Sequence, residues 1–87
     1  MRLADLVRGN PNSAKVVEVF GSPTQDLPAT DVEKVTRVFR SVARRVEEIR
    51  AKARGAHRLM VYGTSKWVYI FYLDERGEVL EFTCFEQ

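Results

Sequence analysis

The chain is poor in the residues that most often carry chemistry. It has one cysteine, Cys84, and one histidine, His57, in 87 residues. That excludes a disulfide scaffold and a cysteine–histidine metal cluster, and it fits a reducing compartment. The five glycines (Gly9, Gly21, Gly55, Gly63 and Gly77) are scattered, each at a junction between elements. None clusters into a loop that could cradle a phosphate, and Ser13, Ser22, Ser41 and Ser65 sit in no nucleophile elbow. No run approaches the ~18 apolar residues of a membrane span. The opening stretch MRLADLVRGN carries Asp5 inside its apolar part and lacks the core of a secretory signal. These absences predict a soluble, cytoplasmic protein that is not an enzyme and takes no cofactor, metal or membrane.

What is present is one small domain. Residues 1–87 are 45% hydrophobic. A chain of this size buries only a little over ~60% of its unfolded surface, so a partner subunit would help it. The net charge of +2 is unevenly spread. Residues 31–54 hold eight basic and four acidic side chains, whereas 55–87 hold three and five. Ten of the fourteen basic residues are arginine, and Asn and Gln occur only twice each, a bias that points to a hot-living source.

The strongest pattern lies in DVEKVTRVFRSVARRVEEIRAKAR, residues 31–54. Val32, Val35, Phe39, Val42, Val46, Ile49 and Ala53 are spaced 3, 4, 3, 4, 3, 4, which gathers them on one face of a helix. Thr30 and Glu33 have the spacing of a capping box, and Gly55 follows as a C-terminal stop. The spacing predicts one helix over 31–54, about 36 Å long at 1.5 Å per residue. The seven-residue repeat also suits a helix–helix seam. Val35, Val38, Phe39, Val42, Val46 and Ile49 are therefore the candidate interface of a homodimer.

Around that helix the chain reads as strands and turns. Leu3, Leu6 and Val7 predict a short helix over 2–8. The β-branched run Lys15–Phe20 predicts a strand, and Leu27 begins a return strand that Pro28 confines to an edge. After the helix, His57–Tyr62, Trp67–Leu73 and Glu78–Phe85 form an antiparallel meander. WVYIFYL has no polar alternation, so it is the central strand, covered on both faces. Gly77 takes the left-handed position of a G1-bulge turn. Leu80, Phe82 and Cys84 are read as the core face of the last strand.

Each candidate site has a plain reading beside the functional one. His57 could be a base or a ligand, but without a second histidine it reads as a surface residue at a strand end. Cys84 reads as a buried structural cysteine. Trp67, Tyr62, Tyr69 and Tyr72 could stack on bases, yet in so apolar a region they read as core or subunit contact. Arg37, Arg40, Arg44 and Arg45 lie off the apolar seam. They could bind an acidic protein or a nucleic-acid backbone, or they could form a solvated face.

The order of elements resembles the roadblock family. AKVVEVFGSPTQDLP carries the likeness of a first hairpin, VEKVTRVFRSVARRVEEI that of the central helix, and HRLMVYGTSKWVYIFYLDERGEVLEFTCF that of the closing meander. The resemblance implies an α+β, roadblock/longin-like fold: an N-terminal β-hairpin and a three-strand meander packed on one long helix. It implies dimerisation through that helix and a sheet edge. It also implies a non-catalytic adaptor or regulator whose partner is a small Ras-like GTPase. A nucleic-acid-binding module using the basic face of 31–54 is the alternative.

Overall fold

A computed structural model describes residues 12–87; the helix expected over 2–8 lies outside them. The first described element corrects the expected strand. Ser13–Phe20 is a helix, α1. The Asn12 side chain accepts from the Lys15 amide at 2.9 Å, and the Gly21 amide closes the other end on Val17 O at 2.7 Å. Valine prefers strands, but Val16, Val19 and Phe20 are spaced three and four apart, and burial of Val16 and Phe20 outweighs that preference.

The expected single helix is corrected too. Val32–Val38 (α2) and Val46–Ala53 (α3) are α-helical, and Arg40–Arg45 between them is a six-residue 3₁₀ segment. Phe39 breaks the run at φ −114° and ψ 84°. The two helices fold back on each other. Glu33 and Arg50 would be about 25 Å apart on a straight helix, yet their side chains bond at 3.0 Å. A 36 Å rod also exceeds the 30 Å longest dimension of the fold, so folding back keeps the whole apolar face on the sheet. Neither predicted cap forms. Asp31, not Thr30, precedes α2 and makes no side-chain cap, Glu33 turns to Arg50, and Gly55 does not adopt a positive φ.

Gln25–Pro28 (β1), Arg58–Gly63 (β2), Trp67–Leu73 (β3) and Val79–Glu86 (β4) form one antiparallel sheet in the order β1-β2-β3-β4. The meander therefore stands as expected, with β3 inside the sheet. The N-terminal hairpin does not, because only β1 is a strand. β1 is an edge strand that ends at Pro28, as its proline requires. The β3–β4 turn is held by Asp74. Its amide donates to Glu78 O at 2.9 Å, and its carboxylate accepts from the Arg76 and Glu78 amides, each at 2.9 Å. Gly77 sits at φ +82°, the left-handed region that this turn needs.

The sheet lies between two helical layers. On one face α2, the 3₁₀ segment and α3 bury Val35, Val42 and Ile49 against Leu59, Val61, Val68, Ile70 and Tyr72. On the other, α1 packs Val16 and Phe20 over Met60, Tyr62, Phe71 and Leu73. The stretch whose composition predicts a strand thus supplies, as α1, the second cover that β3 requires. The faces of β4 also differ from expectation. Leu73 pairs with Val79 but Tyr72 with Glu81, so Leu80 is bulged out and half exposed. Beyond the bulge Thr83 and Phe85 are buried, with Phe85 in the cluster under the helical hairpin. Phe82 is half-buried beside α1, and Cys84 is exposed.

Candidate interaction surfaces

The hairpin geometry decides what becomes of the predicted dimer seam. Val35, Val42 and Ile49 are fully buried in the chain's own core, Phe39 nearly so, and Val46 packs against the same cluster. Only Val38 is exposed. Phe39 lies so close to Gly63 that a Cβ there would sit 2.4 Å from its ring, so glycine alone fits that spot. The seam is already occupied by the sheet, and the fold-back removes its continuity along 31–54.

The four candidate arginines divide. Arg45 is engaged: it donates to Glu48 at 3.3 Å, and its guanidinium stands 5.5 Å from the centre of the Phe85 ring, within cation–π range. Arg37, Arg40 and Arg44 are exposed, and among the described residues none has a carboxylate within 4.0 Å. Glu33 pairs with Arg50, and Glu48 with Arg45. Arg50 also reaches Glu47 at 2.7 Å. A hydrogen bond from its own backbone amide, and after it the bond from Arg50, hold the Glu33 carboxyl below its ordinary value of 4.5.

A groove of about 360 Å³ runs between the helical layer and β4. Ser41, Arg45, Glu48 and Lys52 form its helical wall, and residues 82–86 of β4 its floor. Lys52 is tied to Glu81 at 3.1 Å. Cys84 lines this groove, so the expected buried cysteine is instead at the surface. Partial shielding pushes its thiol pKa up, away from the reactive thiolate. Tyr72 lies beneath, its hydroxyl 3.2 Å from Thr83 Oγ1, and burial pushes it up to about 12.

A second, apolar trough of about 540 Å³ opens beside β1, lined by Leu27, Ala29, Ala56 and His57. Arg58 closes one side through a bidentate bond to Asp26, at 2.6 and 2.5 Å. His57 uses its backbone to join strands, donating to Leu73 O and accepting from the Ala29 amide, while its side chain is exposed. Trp67 is 40% exposed, whereas Tyr62 and Tyr72 are core, so the four aromatic candidates do not form one stacking platform.

Among the described residues there is no group of three His, Cys, Asp or Glu able to hold a metal, and no helix long and apolar enough to cross a membrane. The β4 groove escaped sequence reading because it depends on the bulge at Leu80 and on the fold-back that brings Ser41 and Lys52 to one strand. The one signal for it was the run Glu81–Glu86, which has no proline, lysine or glycine to guard an edge. Comparison with protein-family models, with curated proteins and with solved structures gave no match.

Proposed function

We propose that this chain is a non-catalytic cytoplasmic adaptor that binds a partner protein through the arginines around its 3₁₀ segment. The observation that supports this reading is the contrast among the arginines. Arg45, Arg50 and Arg58 are spent on internal carboxylates, while Arg37, Arg40 and Arg44 are not. Guanidinium groups favour planar, bidentate acidic partners, and three exposed ones between 37 and 44, without a carboxylate within reach among the described residues, offer contacts to an acidic surface. The roadblock resemblance implies a small Ras-like GTPase as that partner, so such GTPases from the source cell are the first to be tested.

Arg40→Glu combined with Arg44→Glu should weaken partner binding at least tenfold, about 1.4 kcal/mol, with an unchanged far-UV spectrum. Titration calorimetry with the purified partner reads the effect. Equal binding by the variant overturns the reading. The same free arginines suit phosphates, so nucleic acid is the competing ligand. Retention on DNA or RNA that falls steeply between low and physiological salt, without capture of a protein after nuclease treatment, would replace the adaptor by a nucleic-acid-binding module.

A further inference from the structure

We propose that the trough beside β1 binds a medium-chain fatty carboxylate, with its alkyl chain on Leu27, Ala29 and Ala56 and its head group at Arg54 and Thr30. The trough of about 540 Å³ adjoins a second hollow of about 330 Å³, and Ala29, Thr30 and Ala56 line both. The two open at the β1 end of the core that lies under the helical hairpin. β1 is four residues long and stops at Pro28, so it shields little of that core. Leu27, Ala29 and Ala56 pack against the core from the trough. Val32 and Ala53, 3% and 5% exposed, belong to the core and line the second hollow. An alkyl chain laid along the two hollows continues the apolar surface of the core itself.

The chain's own bonds fix the walls. The Ala29 amide donates to His57 O at 3.1 Å, the Asp31 amide to Pro28 O at 3.0 Å, and the Ala56 amide to Ala53 O at 3.0 Å. The bidentate Asp26–Arg58 pair ties β1 to β2 beside them. Three of the apolar wall residues are alanines, which have no side-chain torsion with which to close a gap. The hollows are therefore preformed, and a ligand entering them orders few side chains.

Charge selects the occupant. Of the ionic side chains around the two hollows, Asp26 is bound to Arg58 and Glu33 to Arg50, so these four cancel. Arg54 remains. It is exposed, and among the described residues no carboxylate lies within 4.0 Å of it. It stands just past the last residue of α3, where its amide donates to Arg50 O at 3.2 Å, and it lines the second hollow together with Thr30. A guanidinium binds a carboxylate through two parallel bonds, and the Thr30 hydroxyl is a further donor on the same wall. A monoanion with an apolar body satisfies both the surplus charge and the apolar floor. An alkylammonium satisfies only the floor and meets Arg54 as a like charge.

Arg37, Arg40 and Arg44 take no part, so the outcome is independent of the adaptor reading. Octanoate titrated into the ¹⁵N-labelled full chain should give saturable shifts of the Ala29, Thr30, Ala56 and His57 amides, and octylammonium should give none. Hexanoate should bind more weakly, by up to about fourfold for each methylene removed. Arg54→Glu should weaken octanoate at least tenfold and admit octylammonium instead. Arg54 is exposed, so this variant keeps the fold, which far-UV spectra and melting confirm. Ala56→Leu narrows the trough and should also weaken octanoate; if it unfolds the chain, the charge reversal at Arg54 decides alone. Absence of saturable shifts with octanoate overturns the proposal, as does equal binding of octanoate and octylammonium or unchanged octanoate binding by Arg54→Glu. Tighter binding of an apolar peptide with a free C-terminal carboxylate than of octanoate overturns the ligand class.

Discussion

The two faces of this sheet are covered by different means. One carries a helical hairpin from Val32 to Ala53 and is largely aliphatic, with seven residues of its cluster (Val35, Val42, Ile49, Leu59, Val61, Val68 and Ile70) wholly buried. The other carries an eight-residue helix and is largely aromatic. There Phe20 lies 5.6 Å from Tyr62, 6.1 Å from Tyr69 and 5.5 Å from Phe71, ring centre to ring centre. Tyr62 meets Phe71 edge-on at 5.9 Å, and its hydroxyl donates to Gly21 O at 2.8 Å. Large rings cover more area per residue, so two turns of helix suffice for the centre of that face. They do not reach its margin, where Tyr69 and Phe82 stay half-buried and Trp67 is exposed. The difference teaches where the molecule is cheapest to open: along the aromatic face, at α1.

Changes in the two covers should therefore separate. Ile49→Ala removes a fully buried side chain under the helical hairpin and should cost about 2–5 kcal/mol. Chemical denaturation should show this as loss of the whole fold. Phe20→Ala removes a half-buried ring from α1 and should cost about 1–3 kcal/mol, less than the 3–5 of a fully buried Phe. Hydrogen exchange should then quicken in Ser13–Phe20 before it quickens in β2 and β3. If amides across the sheet quicken together, the two faces form one cooperative unit and the contrast fails.

A smaller change sharpens the same contrast. Asn12→Ala removes the cap on Lys15 N and should cost about 1 kcal/mol, with the loss again confined to α1. No equivalent loss is expected from Thr30→Ala, because Thr30 caps nothing.

The smallest effect concerns the hairpin alone. Glu33 has a folded pKa below its ordinary 4.5, held there first by its own backbone amide and then by Arg50, so these bonds add stability above that pH and lose it as pH falls through the folded pKa. Glu33→Gln should lower Tm slightly at pH 7, and the difference from wild type should vanish in acid. A difference that persists at low pH would assign the effect to packing at α2 and not to charge.

Some of this was legible in order along the chain. WVYIFYL could only be a strand covered on both sides, and β3 is that. Asp74 to Gly77 could only be a turn, because its chemistry is local and Gly77 alone accepts the left-handed backbone. Pro28 placed β1 at an edge for the same kind of reason. Legibility failed where two local signals competed or where distant residues had to meet. Val16, Val17 and Val19 argue for a strand by composition, whereas in the structure Asn12 caps this stretch as a helix that buries Val16 and Phe20. The groove beside β4 and the exposed arginines around the 3₁₀ segment were visible as residues, but not as surfaces.

By itself the sequence determined which residues are apolar, their period and the turns, since these depend on neighbours within a few positions. Only the tertiary structure decided that the period over 31–54 is read by two short helices folded back at Phe39. The reason is physical: a fold 30 Å in its longest dimension cannot cover a 36 Å rod along its whole length, whereas two short helices lay the same apolar residues on the sheet. The same logic set the faces of β4. Alternation says which residues share a face, but one bulged residue, Leu80, reverses it. Whether a bulge forms depends on how Leu73 and Tyr72 in β3 are already held.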